Sequence, residues 1–76
     1  MKLDCYLTAQ GRGSVTWLAE QINDHPENVS MYRKNRKQVP AGRCVQIEAA
    51  TKGQVTRKDL RPDDWYLIWP ELIDRQ

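Results

Sequence analysis

Apolar positions recur along this chain at helical spacing, in short blocks punctuated by glycine, asparagine and proline. Val15, Leu18, Ala19 and Ile22 stand at i, i+3, i+4 and i+7, which puts all four on one stripe of a helix. Asn23-Asp24-His25-Pro26 then breaks the pattern. Asparagine takes the left-handed conformation that closes a helix more readily than other non-glycine residues. Proline, lacking an amide hydrogen, suits the first turn of a new helix. The next block has Val29 and Tyr32 as its inward pair and leaves Glu27, Asn28, Ser30, Met31 and Lys34 facing outward. The stretch from Ser14 to Lys37 therefore predicts two short helices joined by a tight turn, a helix-turn-helix with a polar outer face.

The flanking blocks predict further helices. Residues 2–10 carry Leu3, Tyr6 and Leu7 on one side and end at Gly11, and Ser14 is a natural N-cap for the helix that follows. Trp17 lies off the apolar stripe of that helix, which fits packing of its ring against the first or fourth helix. Either Asp24 or His25 is placed to cap the second motif helix, with Asp24 and Glu27 at capping-box spacing. Pro40 is expected at the first position of a fourth helix whose inward residues are Cys44, Ile47 and Thr51, with Ala50 beside them and Gly53 as the stop. Gly42 inside it costs about 1 kcal/mol relative to alanine. Val55, Thr56, Asp59 and Leu60 match the N′, N-cap, N3 and N4 positions of a capping box with a hydrophobic staple, and Pro62 ends or bends the short helix they start. The pattern predicts an all-α fold of about five short helices over residues 1–62.

Residues 63–76 follow as an aromatic C-terminal segment. Trp65, Tyr66, Leu67, Ile68, Trp69, Leu72 and Ile73 are more apolar surface than a tail in water should show. The segment either folds back onto the domain or forms a dimer or partner contact, for which Trp65, Trp69 and Leu72 are the candidates, and Pro70 interrupts any continuous helix.

Composition sharpens this picture. At 76 residues there is room for a single domain with a small core, which dimerisation would help to stabilise. The net charge is only +2, but it is unevenly spread. No acid lies between Glu27 and Glu48, whereas Arg33, Lys34, Arg36, Lys37 and Arg43 do; from Asp59 onward five acids stand against Arg61 and Arg75. A basic run directly behind a candidate recognition helix is placed for phosphate contact. Cys5 and Cys44 form no C-x-x-C pair, and with His25 alone they make no metal set; each is expected as a small buried thiol, a disulfide being the alternative. His25 has no partner set for catalysis, and Asp63-Asp64 is expected to cap the following segment. Neither an enzyme nor a cofactor is expected. The N-terminus has no signal-peptide run, and the apolar stretch from Trp65 to Pro70 is too short to cross a bilayer, so the protein is expected in the cytoplasm.

The chain resembles the YdaS/Cro-like helix-turn-helix regulators of bacterial prophages and phage-derived loci, from about Ser14 to Asp63. Leu18-Ala19 and Val29-Ser30 stand where such proteins carry those residue types. A longer block follows: Val39-Pro40-Ala41, Arg43-Cys44, Ile47-Glu48, Ala50-Thr51, Gly53, Val55-Thr56-Arg57 and Leu60-Arg61-Pro62-Asp63. The resemblance implies a bacterial or phage-encoded transcription regulator with a compact fold of the lambda-repressor and Cro type, acting as a homodimer on a double-stranded DNA operator. The second motif helix, about residues 26–35, would then enter the major groove. Glu27, Asn28, Ser30 and Met31 would face base edges, and Arg33, Lys34, Arg36, Lys37 and Arg43 would face phosphates. Some family members have been described as antitoxins, so the other expectation is a protein-interaction module that holds a partner protein through its C-terminal aromatics.

Overall fold

The computed structural model describes residues 1–73. Helices α1 (Leu3–Gln10), α2 (Ser14–Gln21), α3 (Pro26–Arg33) and α4 (Ala41–Ala50) pack around one apolar centre. Two single turns follow, α5 (Arg57–Leu60) and α6 (Trp65–Ile68), and then a 3-10 turn over Pro70–Leu72. Every element among the described residues is helical; five α-helices, α1 to α5, lie within residues 1–62 as expected, and one more follows. The additional one is α6, whose four residues are too few to give a periodicity that can be read from sequence.

The stripes meet as their spacing requires. Leu3, Tyr6 and Leu7 of α1, Leu18 and Ala19 of α2, Ile22 after it, Val29 and Tyr32 of α3, and Cys44 and Ile47 of α4 are all buried in one cluster with Val39, Val55 and Trp69. Cys5, two residues along from Leu3, falls on the opposite side of α1 and is exposed, so only Cys44 is the buried thiol expected. Both cysteines are free. Burial pushes the Cys44 thiol up to about 11, which keeps it protonated and unreactive near neutrality. Alkylation of the folded protein, followed by mass spectrometry, should therefore label Cys5 readily and Cys44 only after denaturant is added.

The helix ends are where the chain differs most from expectation. Gly13, with φ of 84°, is the N-cap of α2. Ser14 is instead the first helical residue, and its hydroxyl donates to the Leu7 carbonyl at 2.8 Å, joining α1 to α2. Pro40 likewise stands just before α4 as its N-cap. Three helices close in the same way, each with a left-handed non-glycine residue: Asn23 after α2 (φ 55°), Asn35 after α3 (57°) and Lys52 after α4 (54°). At each, two amides return to the carbonyls of the last turn, as from Asn35 to Tyr32 and from Arg36 to Met31 after α3. These paired bonds satisfy carbonyls that a helix end otherwise leaves bare. At α5 the capping box forms as expected, with Thr56 accepting from the Asp59 amide and Asp59 accepting from the Thr56 amide. Val55 is fully buried and Leu60 packs against the core.

The aromatic segment folds back onto the rest. Trp69 is 9% exposed and belongs to the core, and Trp65 and Leu72 pack partly against it. Cations seat both indoles, with Arg57 5.3 Å from the Trp69 ring centre and Lys58 4.5 Å from that of Trp65. Arg61 grips Asp64 with two nitrogens at 2.9 and 2.7 Å and donates to the Val39 carbonyl at 2.7 Å. The Asp64 carboxylate thus answers Arg61; it does not bond the amides of α6 as a side-chain cap.

Candidate nucleic-acid interface

Helix α3 and its surroundings form the candidate site. The helix is held from behind by Val29 and Tyr32, which leaves its other side outward. Glu27, Met31 and Lys34 are exposed, and Asn28 and Ser30 are half-buried. All four expected base-reading residues therefore retain some solvent-accessible surface. Trp17 is not among them: it lines a surface recess with Tyr6 and Gln10 of α1 and Arg12.

One carboxylate fixes how α3 sits on α2. Asp24 lies in the turn between them with only 6% of its side chain exposed. It accepts from the His25 amide at 2.7 Å, from the Asn28 side-chain amide at 2.7 Å and from the Tyr32 hydroxyl at 3.0 Å. The Arg43 guanidinium lies 3.4 Å away. Burial by itself would raise the pKa of this group, but the bonds from Asn28, His25 and Tyr32 and the charge of Arg43 outweigh it and hold Asp24 below its ordinary value of 3.8. The Tyr32 hydroxyl is pushed up by burial and by the same hydrogen bond. His25 is the N-cap residue of α3 without a side-chain cap bond. Neither expected cap forms: no bond joins Asp24 to Glu27, and Asp24 instead takes the side chains of Asn28 and Tyr32.

The five cations expected at phosphates have separate fates. Arg33 turns back to α1, where it pairs with Asp4 at 2.7 Å and donates to the Thr8 hydroxyl at 3.0 Å. Arg43 reaches from α4 to the turn, donating to the carbonyls of Ile22 and Asn23 and to the side chain of Gln46. Both are drawn inward because a tertiary neighbour supplies a carboxylate: Asp4 for Arg33, Asp24 for Arg43. Lys34 and Arg36 are exposed and belong to none of the ion pairs among the described residues. Lys37 donates to the Asn28 side-chain oxygen at 3.1 Å.

Sequence reasoning missed Asp24 as an organiser and Tyr32 as its partner through the hydroxyl. The available signal was the spacing of Asp24, Asn28 and Tyr32, at i, i+4 and i+8, which stacks polar groups along one edge of the motif. Away from this site, the exposed apolar residues of the C-terminal segment are Tyr66, Leu67, Ile68 and Ile73, Leu67 being 72% exposed. Of the residues expected at a dimer or partner contact, Trp69 is instead enclosed within its own chain, because a ring of its size gains most by leaving water altogether. Among the described residues no group of three or more His, Cys, Asp or Glu side chains could hold a metal ion, and no helix is long and apolar enough to cross a membrane.

Comparison with known proteins gives a consistent result. The family model described as "Bacterial toxin YdaS" matches residues 8–68, a span from α1 through α6 that includes the whole motif. The chain is 41% identical over 54 residues to the "Putative transcriptional regulator YdaS" of Escherichia coli (strain K12). That alignment covers 70% of this chain and 55% of the relative, so the chain spans about half the length of the curated protein it matches. A family match across most of the helical core, joined to that level of identity, places this chain in the YdaS family.

Proposed function

We propose that this chain is a sequence-specific duplex DNA-binding regulator of transcription, with α3 as the element that enters the major groove. The observation that carries the reading is the outward side of α3: accessible polar residues with two exposed cations immediately beside them, Lys34 and Arg36, which join no ion pair among the described residues. No acid interrupts residues 28–47. The name of the E. coli relative, a transcriptional regulator, supports the same direction. In this reading Glu27 accepts from a cytosine amine, Ser30 bonds any base and Met31 touches a thymine methyl, while the Asn28 amide, between Asp24 and Lys37, lies beside them in the first turn of α3. Lys34 and Arg36 hold phosphates and set the orientation. A homodimer would bring two copies of α3 about 34 Å apart, one turn of DNA.

The test is retention of duplex DNA as a function of salt. Reversing Lys34 and Arg36 to Glu together should weaken binding to all duplexes by roughly tenfold or more at moderate salt and reduce the slope of log K against log salt by about 2. Both positions are exposed, so folding should survive, which circular dichroism would check. Unchanged retention after the double reversal would rule out this placement of the DNA. A second reading is favoured by the exposed Tyr66, Leu67 and Ile68 and by the toxin description of the family: the C-terminal segment holds a partner protein. A stable complex with a neighbouring gene product, lost on Leu67→Asp, would support it.

A further inference from the structure

We propose that Lys37 is a specificity-determining residue that reads a guanine edge, held in place by Asn28 and Asp24. The inference rests on the DNA-binding reading above and changes what that reading requires of this lysine. Sequence position puts Lys37 four residues beyond the end of α3, among groups suited to phosphate. The chain reverses there. Asn35 takes the left-handed conformation, and the Arg36 amide bonds back to Met31. The Lys37 ammonium consequently reaches Asn28, nine residues earlier, at 3.1 Å. Asn28 is in the first turn of α3, and in helix-turn-helix proteins the N-terminal residues of the recognition helix are those that meet base edges.

The charges at either end fix the amide between them. The Asp24 carboxylate takes its NH2 group at 2.7 Å, so its oxygen is turned to the ammonium. Asp24 is itself fixed by Tyr32, the His25 amide and Arg43, so the relay is anchored in the core and not in solvent. An ammonium has three donors. One is used on Asn28, and the others remain for acceptors in the groove. Guanine offers two adjacent acceptors, O6 and N7, whereas adenine at the same edge presents a donor beside its N7. Lys37 thus favours guanine, and Asn28 acts as its positioning residue.

Selection from a random-sequence duplex pool, with wild type, Lys37→Met and Asn28→Ala, tests this directly. Lys37→Met should erase the preference for guanine at one position per site, a loss of about five- to hundredfold against the other bases. Its affinity for unrelated duplex should stay within about twofold of wild type, and Asn28→Ala should relax the same position. A Lys37→Met variant that weakens all duplexes alike, with the salt slope reduced by about 0.9 and the base preferences intact, identifies a phosphate contact and overturns the proposal. A wild-type chain that retains no duplex at low salt removes the DNA-binding reading itself, and the proposal with it.

Discussion

Replacing Trp69 with alanine is expected to destabilise the protein by about 3–5 kcal/mol, the usual range for deleting a buried aromatic side chain. A chain of this length has a total stability of about 4–11 kcal/mol, so the loss is a large share of the whole, and at the lower end of that range it leaves much of the variant unfolded. The reason lies in the enclosure of the ring. It is 9% exposed, shares the core with Val55 and Ile47, and is covered by Arg57. Arg57 in turn pairs with Glu48 of α4 at 3.0 Å, so the loss should spread to the packing of α5 on α4. Urea unfolding followed by far-ultraviolet circular dichroism would measure it. Leu67→Ala is the control, since Leu67 is 72% exposed and its truncation should change stability by about 0.5 kcal/mol or less. Equal, small effects at both positions would mean that residues 65–69 are not part of the cooperative core, and a shift in the monomer–dimer balance with Trp69→Ala would point to a contact between chains instead.

The second large effect is expected at Asp24. Asp24→Ala removes the acceptor for Asn28, Tyr32 and the His25 amide and the partner of Arg43 at once. Breaking a buried ion pair costs about 3–5 kcal/mol where the remaining charge is stranded. Arg43 still has 30% of its side chain in solvent and keeps two turn carbonyls, so about 2–4 kcal/mol is the better figure here. Asp24→Asn should fall between, because its oxygen can still accept while its NH2 group faces other donors. The pH dependence has a definite sign. Asp24 is held below its ordinary value of 3.8 in the folded protein, so its contribution is fully present above about pH 4 and is lost as the pH falls through the depressed folded value. Removing it should flatten the acid limb of the stability curve without abolishing it, since Asp64, held low by its hydrogen bonds to Arg61, behaves in the same sense. An acid limb identical in wild type and Asp24→Ala would show that the carboxylate is not held by its neighbours.

The Asp24 result also bears on the proposed DNA binding. Asp24 orients the first turn of α3, so under that proposal a folded Asp24→Asn protein should lose discrimination among duplexes before it loses affinity for DNA in general. Lys34 and Arg36, which pair with no carboxylate among the described residues, should continue to supply the salt-dependent part.

Much of the fold could be read from spacing alone. The stripes of α1 to α4 are periodic, and a helix with one apolar side has one way to face a core, so Leu18, Ile22, Val29, Tyr32 and Ile47 were identifiable as interior residues. Asn23 as a left-handed stop and the Thr56–Asp59 box were legible because each satisfies backbone groups within a few residues of itself. Ser14 and Pro40 were each displaced by one helical position, a shift that local preference does not resolve.

Long-range partners are what the sequence by itself left open. A basic residue at position 33 or 43 has the same local signature as one at 34 or 36, yet Asp4 and Asp24 claim the first two and leave the others in water. An indole in an apolar tail looks the same whether it meets its own core or another chain, and only the docking of α5 and α6 enclosed Trp69. Residues near in sequence determined the helices, their ends and the outward side of α3. Charge pairing and burial across 20 or more positions, as between Arg33 and Asp4, decided which side chains that surface keeps free, because those energies depend on distances in space that periodicity does not encode.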